Sequence, residues 1–488
     1  MKRTIIFALM LSAITFTFAQ GSYEAFRFSQ IDYMGTARYM GAGGAFSATG
    51  GDFSALNTNP AAIGIYKRNE VSFTPLTLSF FKDNTLYNGS SSYTQNPKYT
   101  VPQCGLVISS PINNSAWKRW QFGFGYNRIM DFNNTFRIEG PNHSSFIDPV
   151  LDYANGNNFN SLYGDALIAW NTFMIDTIPG RADRYFSPFH NKDIDQTAVV
   201  SQYGGLDEMT ITFGGNYNDQ LYLGASIGIP ILDYTEQTTL TEEISGGGNA
   251  QGINKYKVAS RQTDRGAGIN AKIGVIYQPV NFLRLSAAIQ TPTYFSRISD
   301  TYTREMTSYW PNNTLSSDYT NNYRFALSSP FRFNVGTSFI INKRAFISAE
   351  YEFNDYGMAT LYANDYNFAN ENEDIRSNFG TCHTLRIGGE ISLTPKFMLR
   401  AGYNLKTSPY LKSNDASDLT AVTAPAHYGS IGFGYHSNFM FFDIAYVLRY
   451  SKDNYTLYTT NSIANGYSTT AQIKNTTHRI VATIGCKF

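Results

Sequence analysis

Charged residues, cysteines and long apolar runs are all scarce in this sequence. Charged side chains make up 15% of its 488 residues, below the quarter that is typical of soluble proteins. The three cysteines, Cys104, Cys382 and Cys486, are an odd number spread along the chain, which argues against a disulfide framework. After residue 19 no apolar run approaches about 18 residues, so helical membrane spans are not expected. Basic (38) and acidic (37) residues nearly balance, and no nucleic-acid partner is expected.

Signatures of catalysis and of metal binding are also missing. The six histidines do not show zinc-type spacing, and no nucleophile elbow or related arrangement of Ser, His and Asp emerges. Asp365, Glu371, Glu373 and Asp374 form an acidic cluster, which we interpret as a solvated loop rather than a calcium site. We therefore expect neither an enzyme nor a bound metal or cofactor.

Aromatic residues, by contrast, are abundant. The chain contains 35 Tyr and 36 Phe, and aromatic residues reach 15% of the total. A surface with little charge and many aromatic side chains suits a membrane better than water. Because a membrane-spanning chain must pair its backbone groups internally, a closed β-barrel is the membrane architecture that remains.

The first 19 residues have the pattern of a secretory signal peptide. Lys2 and Arg3 precede an apolar stretch from Thr4 to Phe18, and the stretch ends at the small residue Ala19. We expect residues 1–19 to direct export and then to be removed. No cysteine follows the expected cleavage point, so a lipid anchor is not predicted.

Apolar and polar residues alternate with a period of two along most of the chain, which predicts strands with one buried face. At the C-terminus, Ile480, Ala482, Ile484, Cys486 and Phe488 alternate with Arg479, Val481, Thr483, Gly485 and Lys487. We expect the first set to face lipid and the second to face a lumen. A final strand that ends on an aromatic residue resembles the signal by which the barrel-assembly machinery recognises outer-membrane barrels, so Phe488 is the predicted contact.

Links between the strands alternate between very short and long. Asn218-Asp219, Thr394-Pro395-Lys396 and Ser437-Asn438 are examples of the short links. Outer-membrane barrels show the same asymmetry, with short periplasmic turns and long outer loops. The count of up and down segments predicts an all-β transmembrane barrel of 14 antiparallel strands over residues 68–488.

Charged residues recur at the predicted inward positions of these strands. Two interpretations remain open: a polar interior that holds the barrel together, or a site for the carboxylate of a ligand. The main candidates are Arg332, Arg386, Arg400, Glu350 and Asp443.

The segment 133–206 is too long for a plain loop, and we expect a long extracellular loop with short amphipathic helices there. Several of its apolar side chains share one helical face. They either pack against each other over the barrel mouth or form a hydrophobic groove that captures a ligand. The candidates for capture are Leu162, Trp170, Phe173 and Met174.

Residues 20–67, which we call the hatch, precede the first predicted strand and lack strand alternation. Glycine permits close approach of the backbone, as compact packing inside a narrow lumen requires. Apolar residues such as Met34, Phe46 and Leu56 argue against a simple linker. The hatch residues that form the most distinctive pattern are Gly35, Arg38, Gly41, Gly44, Asp52, Asn59, Pro60 and Ala61.

With these features the sequence resembles the FadL/TodX family of outer-membrane transporters for long-chain fatty acids and aromatic hydrocarbons. The Gly- and Ala-rich stretch from Gly35 to Gly44, Asp52, the Asn59-Pro60-Ala61 segment and the aromatic C-terminus carry the resemblance. It implies a 14-stranded barrel in the outer membrane of a Gram-negative-type bacterium, with the hatch closing the lumen.

The same resemblance implies a function in transport. Small hydrophobic molecules, either fatty-acid-like or aromatic, would be captured by outer loops and released sideways into the membrane at a kinked third strand. That strand is predicted from Trp120 to Phe132, where the inward Gly123 and Gly125 leave room for a kink or for the hatch. The alternative is a non-transporting barrel that docks partners of a secretion or assembly machine.

Overall fold

The computed structural model describes residues 21–246, 252–342, 344–411, 424–460 and 467–488. The predicted signal peptide therefore lies outside the described residues. Within them, fourteen strands form one closed antiparallel barrel, as predicted. The strands are β1 (Glu70–Tyr87), β2 (Ser90–Thr100 and Gln103–Pro111), β3 (Trp117–Asp131 and Asn134–Asn142), β4 (Ile194–Tyr217), β5 (Leu221–Ile244), β6 (Lys255–Val280), β7 (Leu283–Gln290 and Tyr294–Trp310), β8 (Asn313–Ser328 and Arg332–Ile341), β9 (Ala345–Asp355 and Thr360–Tyr362), β10 (Thr381–Ser392), β11 (Phe397–Lys406), β12 (Ala426–His436), β13 (Met440–Thr456) and β14 (Thr470–Lys487).

The barrel closes between its first and last strands. Glu70 on β1 pairs with Lys487 on β14, and the ladder continues upward to Leu86 and Gln472. Along β13, residues at odd positions from 441 to 447 are buried and those at even positions from 442 to 450 are exposed. The predicted facing of β14 is confirmed in the same way, since Arg479 is buried in the lumen and Ile484 is exposed on the outer wall. The exposed apolar side chains form the lipid-facing belt of a membrane barrel.

The two ends of the barrel differ in their connections. The turn at Asn218 and Asp219 has positive φ at both residues, which is the geometry of a two-residue hairpin turn. This turn and the other short links named in the sequence lie at the end that holds Glu70 and the C-terminus. The long connections lie at the opposite end, where two links, Asn88-Gly89 and Pro311-Asn312, are also only two residues long. Because outer-membrane barrels keep their short turns in the periplasm, we call the end with Glu70 and the C-terminus the periplasmic end and the opposite end the extracellular end.

The hatch fills the lumen with short helical segments. They are α1 (Ser22–Ser29), α2 (Ala37–Gly41) and two 3₁₀ helices, Phe53–Asn57 and Pro60–Ile65. The last three segments each begin with a side-chain cap: Thr36 accepts a hydrogen bond from Tyr39 N, Asp52 from Ser54 N, and Asn59 from Ala61 N. Short capped segments suit a narrow lumen, because each cap satisfies backbone donors that no neighbouring strand reaches.

The long extracellular loop spans residues 143–193, which is shorter than the interval 133–206 of the sequence analysis. The difference arises because β3 and β4 continue beyond the apolar belt as strands with little apolar alternation, and their mutual pairing runs from Asn134 with Gln202 to Asn142 with Ile194. The loop contains α3 (Ile147–Ala154) and α4 (Asp165–Asn171). A further helix, α5 (Ala369–Asn378), connects β9 and β10. No helix among the described residues is long and apolar enough to cross a membrane.

Candidate transport pathway

Hatch and barrel are joined by a buried chain of ion pairs at the predicted hatch residue Arg38. Its Nε lies 2.9 Å from Glu390 Oε2 on β10, and the same oxygen lies 2.6 Å from Arg400 Nε on β11. Arg400 continues the chain to Asp443 on β13, at 2.6 Å between Nη1 and Oδ1. Arg38 also donates to Gly51 O at 2.8 Å. The Arg38 guanidinium therefore ties two parts of the hatch to three strands.

A second network holds the hatch to β8, β9 and β10. Ser47 N donates to Glu350 Oε2 at 2.9 Å, and Arg386 Nη1 donates to the other Glu350 oxygen at 2.6 Å. The structure thus brings the predicted lumen residues together in two pairs, Arg386 with Glu350 and Arg400 with Asp443. Arg332 stays apart from both and donates to Gln290 Oε1 at 2.6 Å.

Two carboxylates organise the hatch itself. Asp52 accepts hydrogen bonds from the Thr36 hydroxyl at 2.7 and 2.9 Å, and burial raises the pKa of Asp52 while Arg38 opposes that effect. Burial acts in the same direction on Asp32, but Arg479 and Arg449 outweigh it and hold the pKa of Asp32 below its usual range. Asp32 therefore remains a charged anchor between the hatch and β14.

Close packing of the hatch depends on glycines of the barrel wall. A Cβ atom at Gly388 would overlap the carbonyl of Ala42, and one at Gly402 would overlap the backbone of Gly43. A Cβ atom at Gly274 would overlap Asn59 Oδ1. We call the lumen-facing glycines at which a Cβ atom would overlap a hatch atom the glycine footprint. They are Gly105, Gly123, Gly125, Gly214, Gly224, Gly274, Gly336, Gly388 and Gly402.

The predicted glycines of β3 belong to this footprint. A Cβ atom at Gly123 would lie 2.8 Å from Ile63 Cδ1, and one at Gly125 would overlap the ring of Phe53. Both positions make room for the hatch. The interruption of β3 lies further along the strand, at residues 132–133. Just before it, between Arg128 and Met130, the ladder with β4 shifts register.

A cavity of about 400 Å³ lies between α1 of the hatch and the barrel wall, directly inside the interruption of β3. We call it the luminal cavity, and its size is in the range of small-molecule sites. Its wall is formed by aromatic side chains from the hatch, β1, β3, β5 and β13 together with charged groups. The aromatic residues that line it include Tyr23, Phe26, Phe81, Phe132, Tyr234 and Tyr455.

Two arginines of the luminal cavity differ in their partners. Arg27 lies 3.6 Å from Glu236 and 4.7 Å from the centre of the Tyr234 ring. Arg449 on β13 forms no ion pair within 4.0 Å in the described part of the chain, and its buried Nε lacks an acceptor there. The guanidinium of Arg449 lies 5.8 Å from the centre of the Tyr428 ring. A buried N–H group without an acceptor is costly, and a carboxylate binds a guanidinium through two parallel hydrogen bonds.

The barrel wall is incomplete next to this cavity. Below the interruption, β2 pairs with β3 from Gln103 to Pro111. Above it, no backbone hydrogen bond joins Ser90–Thr100 to Asn134–Asn142 in the described residues, and we call this region the wall gap. Ser92 Oγ donates to Arg137 O across it at 2.5 Å, and Asn88 Nδ2 donates to Pro141 O at 2.9 Å. Side chains therefore hold the two edges where a ladder would otherwise run.

Proline marks both edges of the wall gap. Pro97 lies on the β2 side and Pro141 on the β3 side. Proline lacks a backbone N–H and is confined to positions where a ladder bond is not needed. These two residues were a signal for unpaired edges that the sequence analysis did not use.

The four predicted capture residues do not share one surface. Leu162 and Met174 are buried in the core of the long loop, which packs over the extracellular mouth of the barrel. Trp170 is half-buried and stacks on Phe159, with ring centres 5.6 Å apart. Phe173 is 53% exposed. Of the four, only Phe173 and the half-buried Trp170 are therefore accessible to a molecule that approaches from outside. Capture by these two residues stays a prediction.

The fold and the pathway together define a class of protein: an outer-membrane β-barrel whose lumen is closed by its own N-terminal hatch. Comparison with solved structures identifies the type of barrel. The chain is similar to a FadL homologue of Pseudomonas aeruginosa, with a TM-score of 0.54 and 14% identity over 94% of this chain and 99% of that one. It is also similar to the toluene transporter TodX of Pseudomonas putida, with a TM-score of 0.53 and 12% identity over 93% and 99%. The predicted FadL/TodX resemblance is therefore confirmed at the level of the fold.

Sequence comparison adds no relative to these structures. No protein-family model matches the chain, and no curated protein matches it. The closed barrel, its apolar outer belt and the FadL-type fold agree with the predicted location in the outer membrane of a Gram-negative-type bacterium.

Proposed function

We propose that the protein carries small hydrophobic molecules with an acidic head group across the outer membrane. The observation that supports this most directly is the luminal cavity, where aromatic side chains lie beside Arg449, whose buried Nε has no acceptor among the described residues. Asp83, Asp131, Glu236 and Asp453 line the same cavity. Apolar contact stabilises a bound molecule by roughly 0.8 kcal/mol per buried methylene, while Arg449 supplies a partner for one carboxylate. A fatty-acid-like molecule offers both the apolar surface and the carboxylate. A neutral aromatic molecule offers the apolar surface alone.

Entry in this proposal begins at the long loop and exit follows the wall gap. Phe173 and Trp170 offer apolar surface outside the barrel mouth, and Phe132 lines the luminal cavity beside the interruption of β3. An apolar molecule has little reason to cross an aqueous pore, and the hatch occupies that route. Release sideways between β2 and β3 avoids both obstacles.

The choice of substrate is tested at Arg449. Uptake of radiolabelled palmitate and of toluene is measured in cells that carry the native chain or Arg449→Leu. Hydrogen bonds to charged groups contribute about 1.5–3 kcal/mol, so half-saturating palmitate should rise roughly 10- to 150-fold while toluene uptake stays within twofold. Arg344→Leu, at the periplasmic end, is the matched control. Equal loss of both substrates would contradict the role of Arg449 as a carboxylate partner.

The exit route is tested with a disulfide across the wall gap. Ser91→Cys and Glu139→Cys, which both face outward beside the close approach of Ser90 and Gly140, are combined in a chain whose three native cysteines are replaced by Ser. Oxidation should reduce uptake at least tenfold, and reduction should restore it, because the two edges can no longer separate. The control joins Thr456→Cys to Thr470→Cys, which face each other in the continuous ladder of β13 and β14. Unchanged uptake with the wall gap closed would rule out this exit.

A further inference from the structure

The outer face of β1, β13 and β14 changes from apolar to basic at one level near the extracellular end. On β13 the outward side chains Ile444, Tyr446 and Leu448 are followed by Tyr450 and then by Lys452. On β14 the outward Ile480 is followed by His478, Thr476 and Lys474. An aromatic or polar layer between apolar and charged side chains is typical of a membrane–water boundary.

Three lysines lie just above this boundary on adjacent strands. Lys452 is directly opposite Lys474 in the ladder of β13 and β14, and Lys82 on β1 is directly opposite Thr476. We call Lys82, Lys452 and Lys474 the lysine patch. Like charges that face each other across two strands are destabilising unless an anion lies between them.

The described residues supply no such anion. None of the three lysines has a carboxylate partner within 4.0 Å in the described part of the chain. The nearest acids in sequence do not help: Asp83 is buried on the lumen side of β1, and Asp453 lines the luminal cavity. The positive charge of the lysine patch is therefore open to a ligand that approaches from outside the barrel.

Below the lysine patch on β14, the side chain of His478 is held in place by a hydrogen bond. His478 Nδ1 lies 2.6 Å from the Tyr446 hydroxyl on the outer face of β13 and β14. The same pairing recurs around this side of the barrel, between Tyr403 and His427 at 2.6 Å and between Tyr351 and His383 at 2.7 Å. These pairs fix rings with polar tips in the layer where head groups meet acyl chains.

We propose that the lysine patch binds the phosphate group of an outer-leaflet glycolipid whose acyl chains lie on the apolar belt below. Each ammonium group offers three donors, and a phosphate offers several acceptor oxygens, so one phosphate screens the repulsion between Lys452 and Lys474. Continuity with the apolar belt favours a lipid phosphate over a free one. The site is separate from the luminal cavity and does not depend on the transported molecule.

Retention of lipid by the purified barrel tests this proposal. The native chain and Lys452→Gln/Lys474→Gln are incubated with bis-phosphorylated lipid A, and bound lipid is counted by native mass spectrometry. A lysine near a charged membrane surface is worth about a fivefold change in binding, so the double variant should bind roughly 30-fold more weakly. Lys452→Arg/Lys474→Arg should retain binding. The control, Lys118→Gln/Lys396→Gln, removes two exposed lysines from the periplasmic end and should bind as the native chain does.

Two further arms separate the possible ligands. In the first arm, dephosphorylated lipid A should bind the native chain as weakly as bis-phosphorylated lipid A binds the glutamine variant. In the second arm, inorganic phosphate at the same concentration should not displace bis-phosphorylated lipid A from the native chain. Heat-modifiable migration in gels verifies that each variant is a folded barrel. Equal binding of the two lipids, displacement by inorganic phosphate, or equal binding by the glutamine variant and the native chain would each overturn the proposal.

Discussion

Removal of the Glu390 carboxylate should loosen the hatch around Arg38 without unfolding the barrel. In Glu390→Gln, Arg38 loses the charged partner of its Nε and Nη2 groups, which lie 2.9 and 3.1 Å from the two carboxylate oxygens. Arg400 keeps Asp443. Loss of one partner of a buried ion pair costs about 3–5 kcal/mol, and the Glu390 side chain is only 13% exposed. The local stability of the hatch should fall by about this amount.

Hydrogen exchange measures this loss directly. Amides of α2 should exchange roughly 100- to 4000-fold faster in Glu390→Gln, since each 1.4 kcal/mol corresponds to a factor of ten, whereas amides of β13 should keep their rates. Glu373→Gln is the matched control. Its partner Arg376 lies 2.7 Å away, but both side chains are more than half exposed, so a change within about 1 kcal/mol is expected. Unchanged exchange in α2, or an equal effect of the control, would refute the anchoring role of Glu390.

Three other predictions concern packing, capping and capture. Gly388→Ala should destabilise the hatch by about 1–3 kcal/mol because the new methyl group overlaps Ala42, whereas Gly429→Ala meets open space and should leave hydrogen exchange unchanged. Asn59→Ala removes the cap of a 3₁₀ helix and should cost about 1 kcal/mol by the same measurement; no change would contradict its structural role. Trp170→Asp with Phe173→Asp should abolish ligand uptake while the barrel stays heat-modifiable, and normal uptake would exclude capture by these residues.

The barrel could be predicted from the sequence because its signal is local. Each strand shows its own alternation, and the phase at Ile484 and Arg479 was enough to assign the outer and inner faces of β14. The strand number followed from links such as Asn218-Asp219, whose conformation depends on a few neighbouring residues. Both features are set by physical constraints that act over less than ten residues.

Contacts between distant segments could not be predicted in this way. Gly388 reads as an ordinary small residue in a strand, and only the folded chain shows that its missing side chain admits Ala42. The pairing of Arg38 with Glu390 joins residues 352 positions apart. The luminal cavity is a further example, since Tyr23 and Arg449 meet there through the closure of the barrel. A pattern of glycines at inward strand positions was the available signal for hatch contacts.

On the proposed exit route, the wall gap would also set the depth at which a molecule leaves the barrel. Its edges carry backbone N–H and C=O groups without ladder partners, and in hydrocarbon each such group costs several kcal/mol. The outward side chains of Ser90–Thr100 are polar or amphipathic, namely Ser91, Tyr93, Gln95, Pro97 and Tyr99. Gln95 is directly opposite Lys82. Tyr99, by contrast, is opposite Leu78, which is level with Ile480 and Tyr446 of the apolar belt. The wall gap therefore extends from the apolar belt to the lysine level, and a molecule on the proposed exit route would meet both acyl chains and head groups of the outer leaflet.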